Sequence, residues 1–251
     1  DYCDDVDITF LSSVFSADEV ELIVELGLPA FKIASMDLNN LPLLASVGKA
    51  GLPVFLSTGM GTLGEIEAAL STLQENGSGP VSIMHCIALY PPLDSDMNLN
   101  NMATLEKAFD VPIGFSDHTL GTAVPLAAIA LGACVVEKHF TTDKELDGWD
   151  HWMSADPAEL TTLVEDGKRI FSSLGSPVRK VSANEMEKRK PFRRRAILTR
   201  DLGQGERIEE SDLDYKRPGT GINPNEGNFV IGRAVTRDLK AEDELEWSDL
   251  V

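Results

Sequence analysis

The stretch from residue 112 to residue 140 constrains this chain most. A β-rich run, residues 112–116, leads into Gly114-Phe115-Ser116-Asp117-His118, a helical stretch follows and closes at Gly132, and a second β-rich run, residues 134–140, carries Glu137-Lys138-His139. Strand, helix and strand within roughly 30 residues is the parallel crossover unit. Two of the chain's four histidines then stand at the carboxyl ends of neighbouring strands, where α/β folds place their chemistry.

The same rhythm runs through the preceding residues. Four more β-rich runs occur at residues 8–14, 31–35, 54–58 and 81–86, each followed by a helical pattern or a turn region. Ser16-Ala17-Asp18-Glu19 reads as a capping box opening a helix with Val20, Val24 and Leu28 on one face, and Thr62-Leu63-Gly64-Glu65 as a second, opening a helix that carries Ile66, Ala69, Leu70 and Leu73. Asp156 and Pro157 start a last helix and Gly175 lies just past its end. Strands alternating with helices predict a parallel sheet. Nearly every strand ends in polar residues: Ser12-Ser13, Lys32 to Ser35, Ser57-Thr58, His85, Ser116 to His118 and His139. That repeated rim points to the catalytic face of a (β/α)8 TIM barrel, because a doubly wound sheet would gather such residues at one switch point. Six units are present where a closed barrel needs eight. The expectation is a barrel lacking its first two βα units, with Asp1-Tyr2-Cys3-Asp4-Asp5 leading almost directly into a strand.

Composition shifts after the last helix. Lys188, Arg189, Lys190, Arg193, Arg194 and Arg195 crowd around Pro191 with little apolar periodicity, which reads as a linker. An internal repeat follows: residues 199–213 read TRDLGQGERIEESDL and residues 236–250 read TRDLKAEDELEWSDL. This predicts a small β-rich domain of two pseudo-symmetric halves, each with a strand, a turn and a short helical turn at Ser-Asp-Leu. The resulting division is a partial barrel at residues 1–178, a linker at 179–194 and a second domain at 195–251.

A formal charge of −19 argues against nucleic acid as a partner. No apolar run approaches the roughly 18 residues of a membrane span, and no signal peptide opens the chain. Three cysteines without C-x-x-C spacing support neither a disulfide scaffold nor a zinc ribbon, and a reducing cytoplasm is the expected compartment.

His118 and His139, ending adjacent strands, are candidates to share one metal ion of the Mn, Fe, Co or Zn type; the plain alternative is two half-buried histidines bonded to backbone. Lys32, Ser35, Ser57, Ser116 and Ser13 place one cation and several hydroxyls on the same rim, a workable pocket for a phosphate or carboxylate. Strand alternation puts Lys32 and Ser35 on opposite faces, so Ser35 must already lie in the loop if both contribute. Taken singly, these serines are ordinary caps and turns, and Lys32 an ion pair at a strand end. Tyr90 can stack on a sugar or hydrogen-bond it, while His85 and Cys86 pack. Asp150 can bind hydroxyls or accept a proton, or simply face solvent. Arg217, in the glycine-rich loop Lys216-Arg217-Pro218-Gly219-Thr220-Gly221, is by itself a surface arginine.

Taken together, KIAS (32–35), LSTGM (56–60), GFSDHTLG (114–121), EKHFT (137–141) and KRPGTGI (216–222) resemble the sialic acid synthase family along essentially the whole chain. The resemblance implies a TIM barrel followed by an antifreeze-like SAF (β-clip) domain. It implies condensation of phosphoenolpyruvate with N-acetylmannosamine or a related N-acylated amino sugar, giving a nonulosonic acid and phosphate with the help of a divalent metal, Mn or Mg. His118 and His139 would then be metal ligands; Ser13, Lys32, Ser35, Ser57 and Ser116 would hold phosphoenolpyruvate; Tyr90 and Asp150 would contact the sugar. Arg217 would reach the acyl group of the sugar in the partner subunit of a domain-swapped homodimer. Two departures stand out: Ala88 occupies a place where the family usually has Asn or Ser, and the family's first-strand glutamate and second-strand lysine have no counterpart within these residues. Other readings are a metal-dependent aldolase or hydrolase on the same barrel, and an incomplete chain that binds sugar or phosphate without turnover.

Overall fold

The computed structural model describes residues 2–217 and 219–251. Asp1, the first of the opening acidic residues, and Pro218, within the glycine-rich loop, lie outside the described residues. The chain forms two compact units, residues 1–175 and 176–251.

The first unit runs α1 (Tyr2–Asp5), α2 (Ala17–Glu25), β1 (Phe31–Ile33), α3 (Leu41–Lys49), β2 (Val54–Ser57), α4 (Leu63–Glu75), β3 (Val81–Cys86), α5 (Asn101–Phe109), β4 (Ile113–Asp117), α6 (Ala123–Ala130), β5 (Val136–Lys138) and α7 (Pro157–Leu174). All five strands are parallel, in the order β1-β2-β3-β4-β5. This order never reverses, so the sheet winds one way, as a barrel does, and has no switch point. Laid flat, its outer strands would stand roughly 19 Å apart. Yet Lys32 Nζ on β1 lies 3.5 Å from Glu137 Oε2 on β5. The sheet is therefore curled, a half-barrel.

Five of the six expected strands form, and residues 8–14 do not form the sixth. Only Ser13 bridges to Lys32, and Ile8, Phe10 and Leu11 are exposed. A parallel strand needs partners along its length, and this segment meets β1 only at its end, through Val14 N to Lys32 O and Lys32 N to Ser12 O.

Helix boundaries follow their caps. Thr62 and Glu65 exchange both bonds of a capping box, and Ile66, Ala69, Leu70 and Leu73 form the buried stripe of α4. Asp156 and Glu159 do the same for α7 behind Pro157. Ser16 caps α2 by accepting from Glu19 N, but its buried face is Val20 and Ile23, while Val24 is exposed. Phe31, Ile33, Leu56, Ile83 and Phe115 from four strands are fully buried and join the helices' apolar stripes in one core. Gly48 lets α3 lie against α4: a Cβ there would stand 2.8 Å from the Leu73 carbonyl.

The second unit holds α8 (Ala183–Phe192) and the antiparallel pair β6 (Arg195–Leu198) and β7 (Leu213–Lys216). The segment read as a linker is thus largely helical. Ser182 caps it by accepting from Glu185 N, and Arg189 and Lys190 sit in its last turn, where cations suit the helix dipole. The internal repeat becomes two matching halves. Leu202 and Leu239 exchange backbone bonds of 2.9 Å; Arg200 pairs with Asp212, and Arg237 with Asp249. Ala196, Leu198, Leu202, Ile208, Val235, Leu239 and Leu245 fill the core between them.

Cys3, Cys86 and Cys134 are free thiols. Among the described residues, no helix is long and apolar enough to cross a membrane.

Candidate active site

A cavity of about 500 Å³ opens at the carboxyl ends of β1 to β5 and is lined by Ser13, Lys32, Ser35, Ser57, Tyr90, Ser116, His118 and His139, together with Ala34, Cys86, Ala88, Glu137 and Lys138. Eight of the residues singled out in the sequence therefore share one wall.

The two histidines are held alike, and among the described residues each keeps one ring nitrogen without a partner. His118 is buried and its Nδ1 donates to the Ile87 carbonyl at 2.9 Å, leaving Nε2 free. His139 Nδ1 meets Asp150 Oδ2 at 2.7 Å, again leaving Nε2 free. The ring centroids are 5.2 Å apart, and Tyr90 lies against both, 4.1 Å from His118 and edge-on to His139 at 5.7 Å. Nδ1 fixed by an acceptor and Nε2 bare is how a metal-binding imidazole is oriented. Among the described residues no cluster of three or more His, Cys, Asp or Glu supplies a further ligand. The two Nε2 atoms are the positions from which a divalent ion could be held.

Lys32 reaches the cavity from β1 and donates to the Ile33 carbonyl at 2.8 Å. Burial lowers its pKa, and Glu137 opposes that shift. A half-buried ammonium held near one carboxylate is ready for an anion. Ser35 lies past the end of β1 in a 3-10 turn (Ser35–Asp37), which is how it shares a cavity with Lys32 despite strand alternation. Its hydroxyl accepts from Gly59 N at 3.0 Å. Among the described residues, Ser57 Oγ is buried without a hydrogen-bond partner; a buried, unsatisfied hydroxyl on a cavity wall marks a place for a ligand atom. Ser116 donates to Glu137 Oε2 at 2.7 Å. Burial raises the Tyr90 pKa, helped by Cys86, Glu137 and Asp150, so its hydroxyl stays protonated.

One placement differs from what the sequence predicts, that of Cys86. Cys86 lines the cavity, with its Sγ 4.0 Å from His118 Nδ1, whereas His85 packs away from it and bonds the Met97 carbonyl at 2.7 Å. Asp150 serves His139 directly. Arg217 belongs to the other unit and is exposed just beyond β7. Glu137, Lys138 and Asp117 line the cavity as well, without being among the residues expected there. Their signal is the pair of polar runs Ser116-Asp117-His118 and Glu137-Lys138-His139, which strand alternation alone would not place on one rim.

A singly wound parallel half-barrel with two oriented imidazoles, a half-buried lysine and several hydroxyls at its carboxyl rim defines an enzyme of the α/β-barrel class. Residues 1–179 match the model of the NeuB family. The chain is 41% identical over 240 residues to N,N'-diacetyllegionaminic acid synthase from Campylobacter jejuni, which covers 95% of this chain and 72% of that protein. Among solved structures, the N-acetylneuraminic acid (sialic acid) synthetase from Leptospira borgpetersenii serovar Hardjo-bovis superposes with a TM-score of 0.70 at 38% identity, covering 74% of this chain and 65% of that one. The spore coat polysaccharide biosynthesis protein SpsE from Bacillus subtilis does so with a TM-score of 0.66 at 32% identity, covering 100% of this chain and 75% of that one. The chain belongs to the NeuB family, the sialic acid synthase family.

Proposed function

We propose that the protein condenses phosphoenolpyruvate with an N-acylated amino sugar of the N-acetylmannosamine type to give a nonulosonic acid and phosphate. One observation carries this reading: the bare Nε2 atoms of His118 and His139 share a single cavity with Lys32 and the unpartnered Ser57 hydroxyl. One end of that cavity is suited to an anion and the other to a polarised oxygen.

Lys32 holds the phosphate or carboxylate of phosphoenolpyruvate by a charge-assisted bond, with Ser57, Ser35, Ser13 and Ser116 as hydroxyl donors around it. An incoming anion also draws Lys32 away from Glu137 and frees the carboxylate. Glu137 is then the acceptor in this cavity for the proton of the water that ends on C2. Tyr90 donates its protonated hydroxyl to the sugar. Asp150 keeps His139 oriented and, by family resemblance, contacts the sugar. A divalent ion, Mn or Mg, held by His118 and His139 would supply Lewis acidity toward the aldehyde oxygen of the open-chain sugar.

By family resemblance the second unit is an SAF domain, and Arg217 recognises the acyl group from the partner subunit of a domain-swapped homodimer. Legionaminic and sialic acid synthases are both among the relatives, so the sugar is the finer question. The test is phosphate release with Mn, assayed with phosphoenolpyruvate alone, sugar alone and both. Release only with both supports the condensation; release from phosphoenolpyruvate alone would indicate a hydrolase instead.

A further inference from the structure

The residues immediately before the two histidines form a closed polar knot that the proposed reaction leaves unused. Lys138 Nζ donates to Asp117 Oδ2 at 2.6 Å and to the Thr119 carbonyl at 2.7 Å. Asp117 Oδ1 accepts from both Thr119 N, at 2.9 Å, and Thr119 Oγ1, at 2.8 Å. The side chains of Lys138 and Asp117 are 4% and 0% exposed. Stability alone accounts poorly for such a pair, because apolar residues of similar shape replace buried ion pairs at little or no cost.

Its place in the ladder gives a better account. Asp117 and Lys138 are Cα partners across β4 and β5, and one step further along the same register His118 faces His139. Adjacent strands stand about 4.8 Å apart, and the two rings are 5.2 Å apart. Both neighbours of His118, Asp117 through its carboxylate and Thr119 through its carbonyl, are tied to the residue that precedes His139. The pairing also neutralises the Lys138 ammonium, which would otherwise repel a cation on the same wall.

We infer that Asp117 and Lys138 are positioning residues, whose ion pair, cross-tied to Thr119, sets the separation and tilt of the His118 and His139 rings and thereby the affinity for a divalent cation. The affinity half rests on the metal reading given above; the ring-spacing half does not.

The full chain carrying Asp117→Asn with Lys138→Met, uncharged and close in shape, separates positioning from stability. Three readings are taken: the melting temperature, the nuclear Overhauser contact between the His118 and His139 ring protons, and Kd for Co2+. The expected result is a melting temperature close to that of the wild type, loss of the ring contact, and Co2+ binding weaker by roughly 10- to 100-fold, the usual loss when outer partners of a ligand are removed. Lys138→Arg, which keeps the ion pair, should restore the ring contact. An unchanged ring contact and unchanged Kd in the double variant would overturn the inference. Should that variant fail to fold, the same readings on Lys138→Gln decide by the same criteria. A wild-type chain that binds no Co2+ would sink the metal reading and with it the affinity half, while the ring contact still decides the spacing.

Discussion

Lys32 and Glu137 meet at 3.5 Å across the mouth of the half-barrel, although they stand on the two outermost strands of the sheet. Burial lowers the Lys32 pKa below 10.5, so between the folded value and 10.5 the unfolded chain binds more protons than the folded one. Stability of the unliganded protein should then rise with pH through that window, and the cost of burying the ammonium is fully present below it. Lys32→Met removes this dependence. The melting-temperature difference between variant and wild type should move in the wild type's favour as pH climbs from about 7 toward 10.5. The same substitution should weaken phosphoenolpyruvate binding roughly 10- to 100-fold, the worth of one hydrogen bond to a charged group. Parallel pH curves for the two proteins would contradict the assignment.

Asp150 orients His139 through a 2.7 Å bond while its own side chain is 42% exposed. Removing it should therefore touch the metal site more than the fold. Asp150→Ala is expected to lower Mn2+ affinity by roughly 10- to 100-fold with little change in melting temperature, and Asp150→Asn, which still offers an oxygen acceptor, to fall between. Isothermal titration with Mn2+ measures both. A loss no greater than twofold in the alanine variant would mean that His139 keeps its orientation without the carboxylate.

Gly59 sits where a side chain would collide with the anion end of the cavity. A Cβ there would stand 2.8 Å from Ser35 Oγ and 3.1 Å from the Ala88 Cβ, while Gly59 N donates to that same Ser35 oxygen. Gly59→Ala should displace Ser35, cost about 1–3 kcal/mol of stability and reduce phosphoenolpyruvate affinity. Ser35→Ala in the same background should then bring little further loss of affinity, because the displaced hydroxyl no longer contributes. Additive losses would show that Ser35 stays in place.

How far the fold and the site can be read from the sequence depends on the range of the interactions. The α4 helix is legible because Thr62, Glu65 and the Ile66-Ala69-Leu70-Leu73 stripe are local signals within one element. The two histidines are legible because each ends a strand whose neighbours lie close in sequence. Residues 8–14 mislead, since Ile8, Phe10 and Leu11 have strand-like composition but only Ser13 finds a partner in β1. The linker misleads in the other direction: its basic residues and Pro191 hide a cap three residues apart, Ser182 to Glu185. Asp117 and Lys138 stand one step before the histidines on the same two strands, but no local pattern in the sequence says which of the chain's many carboxylates Lys138 pairs with. The reach of Lys32 to Glu137 depends on the curl of five strands and is likewise written in no local pattern.

The repeat in the second unit yields the last prediction. Asp212 is 3% exposed and Asp249 5%; each accepts a backbone bond from the residue three positions earlier, at 3.0 and 3.1 Å. Their arginines differ. Arg200 grips Asp212 with two bonds of 2.6 and 3.1 Å, whereas Arg237 holds Asp249 through Nε at 2.8 Å. The Arg200 guanidinium holds the Asp212 carboxyl below its ordinary 3.8, so the stability it contributes is present above that pH and is lost as pH falls through the lowered folded value. Asp212→Ala should cost about 2 kcal/mol at neutral pH, and Asp249→Ala less, because a fork-shaped pair loses two charge-assisted bonds where the other loses one. The bonds exchanged by Leu202 and Leu239 join the two halves, so their amide hydrogen exchange reports each half's loosening. Both amides should exchange faster in Asp212→Ala than in Asp249→Ala at neutral pH, and the wild type should approach the Asp212→Ala rate as the solution is acidified below about 3.8. Equal exchange in the two variants at neutral pH would show that the second bond of Arg200 contributes nothing to holding the halves together.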